Sequence, residues 1–219
     1  MQIPTDPPQT LNGWTYRLRP AQTPTSRVVL MLHGWTGDEN SMWFFAHNLP
    51  DRYCVILPRA PHPVPEGGYS WRKVVPGTWG FPTLEDLQPA AEMLMGFLAD
   101  WQTVSGVDTR LFDVVGFSQG AALAYGLAVL FPQRVERVAA LAGFLPRGCE
   151  TRLPVLKGKR IFISHGRADD LVPVEKARLA AGLLQESGVQ VEYCETDGGH
   201  KVSKECLRGI VSFFQGGNN

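Results

Sequence analysis

Two periods take turns along the chain. Continuous apolar runs, as a strand covered on both faces requires, occur at 27–32, 53–57, 111–116, 137–141 and 160–164. Trp14–Arg19 and Val189–Glu195 alternate apolar and polar residues instead, which predicts strands with one wet face. Between these runs apolar residues return at helical spacing, over 39–49, 83–104, 123–130, 174–187 and 202–214. Thr83 is placed to cap the second of these helices, with Glu85 and Asp86 in its first turn. Strand and helix alternating in this way predict an α/β fold, a mostly parallel sheet with helices on both faces. Right-handed crossovers then bring every strand-to-helix loop to one edge of the sheet, where ligands bind. No repeat or shift in composition divides the chain. Residues 1–219 are expected to form one domain, with 1–12 a loose, proline-bearing arm.

Periodicity disappears from Pro58 to Pro82, where prolines and glycines mix with Tyr69, Trp71, Trp79 and Phe81. An irregular stretch this long in a compact domain is either functional or pinned by its own side chains. The connection from Pro146 to Lys159 is too short for a large cap.

Composition narrows the class. The chain is 44% hydrophobic and 19% charged, as a globular domain should be. Lys plus Arg and Asp plus Glu each total 21, without a basic cluster, which argues against a nucleic-acid partner. Cys54, Cys149, Cys194 and Cys206 are scattered, without a C-x-x-C pair. They are expected to be free thiols in a reducing compartment. Met1–Thr10 does not resemble a signal peptide, and no apolar stretch is long enough to span a membrane. The expectation is a cytoplasmic protein without a membrane span.

The chemistry centres on Gly116-Phe117-Ser118-Gln119-Gly120, a G-x-S-x-G pattern between an apolar strand and a helix. A strand turning at once into a helix brings backbone very close, and Gly116 and Gly120 give the clearance. Ser118 is thereby exposed at a helix N-terminus. A serine hydroxyl needs a base near neutral pKa, and that imidazole needs a carboxylate to fix its tautomer. Asp169 and Asp170 follow one strand and His200 follows another, so the order Ser, Asp, His is that of α/β-hydrolase triads. His33 and His165, each before a glycine at a strand end, are expected to orient turns. His47 lies within a helical pattern and His62 among prolines. A metal site from His165, Asp169 and His200 lacks any supporting spacing, and none is expected. Oxyanion donors are expected from the backbone N–H of Gln119 and of Trp35 in the His33-Gly34-Trp35 loop.

Leu32-His33-Gly34, Pro58-Arg59-Ala60-Pro61, the Gly116–Gly120 elbow, Leu141-Ala142-Gly143-Phe144-Leu145-Pro146 and His165-Gly166-Arg167-Ala168-Asp169-Asp170-Leu171-Val172-Pro173 resemble the phospholipase/carboxylesterase family, which includes the acyl-protein thioesterases. The resemblance runs from about Arg27 to the last helix. It implies an α/β-hydrolase fold without a large cap, with Ser118 as nucleophile and His200 as base. Between Asp169 and Asp170 it selects Asp169 as the acid. It further implies cofactor-free hydrolysis of small-molecule carboxylic esters or thioesters through an acyl-enzyme, and a possible homodimer. The Gly67-Gly68-Tyr69-Ser70-Trp71 stretch is closer to the bacterial carboxylesterase branch than to the protein-depalmitoylating one. Small to medium acyl esters are therefore the expected substrates, with Trp35, Tyr69, Trp71 and Trp79 as walls of an apolar acyl pocket. Thioester or lysophospholipid hydrolysis on the same triad is the second expectation. A non-catalytic ligand-binding protein on the same fold is the third.

Overall fold

The computed structural model describes residues 5–23, 27–74 and 80–216. Its main sheet holds eight strands: β1 (Gln9–Leu11), β2 (Trp14–Arg19), β3 (Arg27–Leu32), β4 (Tyr53–Pro58), β7 (Phe112–Phe117), β8 (Val135–Leu141), β9 (Arg160–Gly166) and β10 (Gln190–Thr196). They lie in the order β1-β2-β4-β3-β7-β8-β9-β10, and β2 runs against both its neighbours while β4 to β10 are parallel. A short hairpin of β5 (His62–Pro63) and β6 (Tyr69–Ser70) stands apart. The helices are α1 (Trp43–Ala46), α2 (Leu84–Ser105), α3 (Gln119–Leu130), α4 (Val174–Glu186) and α5 (Lys204–Gln215). Between β8 and β9 there is a single 3₁₀ segment, Glu150–Leu156, in place of any cap.

The apolar runs explain the layering. Side chains alternate across a strand, so Val28, Leu30 and Leu32 of β3 join a core with α2, α3 and α4, while Val29 and Met31 join α1 and α5. Residues of β4, β7 and β9 divide between the faces in the same way. Each such side chain removed from water contributes roughly 1.5–3 kcal/mol. α3 is apolar all round because it is buried all round, from Gln119 to Val129. α2 begins as expected: the Thr83 side chain accepts from Asp86 N–H while the Asp86 carboxylate accepts from Thr83 N–H.

Three expectations require correction. Residues 9–11 are not loose. They form β1, joined to β2 through Asn12 and Gly13, whose φ values of 45° and 83° make the mirror-image two-residue turn that suits a twisted hairpin. The helix expected over 39–49 shrinks to the four residues of α1. On either side of α1 the backbone closes three-residue turns instead, Trp43 N–H to Asn40 O at 2.9 Å and Asn48 N–H to Phe45 O at 3.0 Å. The four thiols are not all free either. Cys194, at the end of β10, is bonded to Cys206, in the first turn of α5, while Cys54 and Cys149 are free and buried. The chain doubles back between β10 and α5 and brings the two Cα atoms to 5.7 Å. The argument for a reducing compartment from four free thiols falls with that bond.

Candidate active site

The parallel strands end at one edge, and the loops after β3, β7, β9 and β10 meet there. Ser118 follows β7 immediately, at φ 53° and ψ −115°, a conformation that side chains other than glycine rarely adopt. Two bare backbone contacts hold it. A Cβ on Gly116 would lie 2.1 Å from Gly120 O, and one on Gly120 would lie 2.1 Å from Leu32 O. Ser118 N–H donates to Leu141 O at 2.8 Å, which fastens the turn to the end of β8. The sequence-based requirement for glycine at 116 and 120 is thus a matter of clearance.

Asp169 is fully buried at its carboxylate. Oδ1 accepts from the N–H groups of Leu171 and Val172 at 3.0 and 2.8 Å. Oδ2 lies 2.8 Å from His200 Nδ1 and 3.3 Å from His165 Nε2. His165 Nε2 is also 2.7 Å from Val172 O, and its proton is given to that carbonyl. His165 therefore steadies the loop that carries Asp169, in keeping with its expected part as a turn-orienting residue. Asp170 faces solvent.

His200 is carried on a loop locked to the Asp169 loop. Ala168 N–H donates to Gly198 O and Arg167 N–H to Thr196 O, both at 2.9 Å. Arg167 also pairs with Glu195 and Asp197 across the same junction. With Nδ1–H given to Asp169, Nε2 of His200 is left as the basic nitrogen. The ring packs 5.0 Å from that of Phe117 and borders the cavity that Ser118 borders.

That cavity is about 600 Å³ and is walled by Trp35, Phe81, Pro82, Phe117, Phe144, Leu171 and Val172, with Arg72 at its side. Trp35 and Gln119 both border it. Gln119 is the first residue of α3, where backbone N–H groups have no partner within the helix. Trp35 sits in a turn closed by Gly37 N–H to Gly34 O. The hairpin braces that turn: Tyr69 N–H donates to Gly37 O, and a Cβ on Gly68 would lie 1.9 Å from Thr36 O.

Of the four aromatic walls expected from the sequence, Trp35 borders the cavity and two others are elsewhere. Trp71 is buried in the core, 1% exposed, with Nε1–H donating to His33 O at 2.8 Å. It pins the loop rather than facing substrate. Tyr69 holds Arg59, which lies 4.7 Å over its ring and reaches its hydroxyl, and it does not border the cavity. Trp79 lies outside the described residues. Sequence reasoning missed Phe81, Phe144 and Leu171, whose apolar character alone does not separate wall from core. It also missed the side chain of Gln119, whose Oε1 accepts from Trp71 N–H at 2.9 Å. His33 is buried in the turn role expected of it, with Nε2 accepting from Ala60 N–H and Nδ1 at 2.7 Å from Gly34 O. No cluster of metal-ligating side chains is present among the described residues.

Comparison with known proteins agrees with this architecture. The model of the phospholipase/carboxylesterase family matches residues 16–216. A probable carboxylesterase of Oryza sativa subsp. japonica is 32% identical over 122 residues, 54% of this chain; the chain spans about half of that relative, 46% of its length. Acyl-protein thioesterase 1 of Debaryomyces hansenii is 28% identical over 227 residues, covering 90% of this chain and 94% of that protein. The crystal structure of the Bacillus cereus carboxylesterase superposes with a TM-score of 0.80 at 19% identity, over 92% of this chain and 93% of that one, and so shares the fold. The chain belongs to the phospholipase/carboxylesterase family and has the α/β-hydrolase fold.

Proposed function

We propose that the protein is a serine carboxylesterase acting on small to medium acyl esters, with Ser118 as nucleophile, His200 as general base and Asp169 as orienting acid. The observation that carries this is the juxtaposition of a strained, cavity-facing Ser118 with a histidine whose Nδ1–H is given to a buried carboxylate. The Ser118 hydroxyl attacks the ester carbonyl while His200 Nε2 takes its proton. Charge developing on the carbonyl oxygen falls to the N–H groups of Trp35 and Gln119, each worth roughly 10²–10³ in rate. His200 then returns the proton to the leaving alkoxide. The acyl-Ser118 that remains is hydrolysed by water, with His200 acting again as base. Asp169, held by its other donors, cannot turn away when the imidazolium forms.

The apolar cavity supports an uncharged acyl chain, and its volume lies within the range of small-molecule sites. Hydrolysis of p-nitrophenyl acetate, butyrate and octanoate by the wild type and by Ser118→Ala tests the reading. Turnover should vanish in the variant and respond to acyl length in the wild type. Equal activity in both proteins would remove Ser118 from the mechanism. Thioester hydrolysis is the second reading, supported by the likeness to acyl-protein thioesterase 1. Rates on a matched butyryl oxoester and thioester separate the two. The single domain and the homodimer belong to the same proposal; limited proteolysis and sedimentation check them.

A further inference from the structure

A second cavity, about 490 Å³, adjoins the first. The two share Gly34, Trp35, Thr36, Phe117 and His200, and divide on either side of that wall. The larger borders Ser118 and Gln119. The smaller borders neither; it continues from His200 to Lys201 and Val202 and is walled opposite by Met42, Phe44 and Phe45 around α1.

We infer that the smaller cavity receives the alcohol half of the ester and the larger the acyl half, so that the substrate class is carboxylic esters of apolar alcohols several carbons long. This rests on the esterase reading above. In the tetrahedral intermediate the former carbonyl carbon carries four groups: Ser118 Oγ, the oxyanion, the acyl chain and the leaving oxygen. The oxyanion is placed by the N–H groups of Trp35 and Gln119. The leaving oxygen must lie within reach of His200 Nε2, because the C–O bond breaks as that nitrogen donates its proton to it. The acyl chain takes the remaining direction. A cavity that touches the base but neither the nucleophile nor Gln119 is on the leaving side. Its aromatic and aliphatic wall would exclude water from an alkyl or aryl group. Phe44 is half exposed at its mouth, as Phe81 is at the mouth of the larger cavity. Each is a specificity residue for one half of the substrate.

The experiment varies one half at a time. Acetate esters of methanol, 1-butanol and 1-hexanol probe the leaving side, and p-nitrophenyl acetate, butyrate and hexanoate probe the acyl side. kcat/KM should rise with both lengths, by up to about fourfold per methylene buried. Phe44→Ala should flatten the dependence on alcohol length and keep the wild-type slope on acyl length. Phe81→Ala should do the reverse. Deacylation gives an independent readout, since the alcohol has already left. Its rate constant, from the phase after the p-nitrophenol burst, should keep its acyl dependence in Phe44→Ala and lose it in Phe81→Ala. A Phe44→Ala enzyme with a flattened acyl slope, or with both slopes unchanged, would overturn the assignment. Failure of the esterase reading looks different: no burst on any ester and no labelling of Ser118 by an organofluorophosphate.

Discussion

Gly166 gives the sharpest test of how the proposed base, His200, is positioned. It ends β9, and a Cβ built on it would lie 2.2 Å from Gly198 O and 2.4 Å from Gly199 O. Both obstacles are backbone, so no rotamer change relieves them. In Gly166→Ala the Gly198–Gly199 segment must retreat by roughly 1 Å to reach ordinary contact. Overpacking of this kind costs about 1–3 kcal/mol. The retreat also strains the bond from Ala168 N–H to Gly198 O that ties the base loop to the acid loop. His200 is the next residue, and a 1 Å misplacement of a reacting group costs on the order of 10² in rate. The expected result is a folded enzyme with kcat on p-nitrophenyl butyrate down about 10²-fold and a modestly lower Tm. Gly182→Ala is the control. Gly182 lies within α4 with nothing near the added methyl, so the change should stabilise by about 0.5–1 kcal/mol and leave kcat as it was. If folded Gly166→Ala keeps wild-type kcat, the close packing of these loops does not place the base.

The Cys194–Cys206 bond encloses His200 within a loop of sequence separation 12. Loop-closure entropy gives it about 3 kcal/mol, so Cys206→Ser should lower the urea midpoint accordingly; an unchanged midpoint without reductant would mean the bond does not form in solution. Burial, the largest influence on His33, holds its pKa below the ordinary 6.5, against the hydrogen bond to Gly34. The unfolded chain then binds a proton that the folded one refuses. His33 stabilises above pH 6.5, and that stability is lost as pH falls from 6.5 toward its folded value. Urea titrations at several pH values should show this slope in the wild type and a shallower one in His33→Gln. Trp71→Phe strips the indole donor from His33 O in the core, for a loss of about 1–3 kcal/mol measured by denaturation. A Tm equal to wild type would show that water replaces it.

The sheet was legible because its signal is local. Five buried strands must be apolar on both faces, and β3 and β2 have the bounds their sequences predict. The elbow was legible for a related reason, since clearance at Gly116 and Gly120 is set by residues within four positions and by one neighbouring strand. What could not be read depends on distant partners. Trp71 looks like a pocket wall until its indole N–H is found on His33 O, 38 positions away. Tyr69 faces Arg59 because Glu39 Oε2 and Oε1 hold that guanidinium at 2.6 and 2.9 Å. Cys194 and Cys206 pair only because the chain reverses around His200. The proposed acid is the instructive case. Adjacent aspartates at 169 and 170 have the same chemistry in the sequence, and the resemblance separated them. In the fold the two differ: the turn into Val172 aims two backbone N–H groups at the Asp169 carboxylate, while Asp170 points into water. Asp169 thus meets the requirement for a tautomer-fixing acid before any substrate arrives. Asp169→Asn should therefore remove far more activity than Asp170→Asn, by at least 10²-fold in kcat, and should lower Tm where Asp170→Asn does not, because an amide N–H at 169 faces donors. Comparable losses in both would mean that neither orients the base.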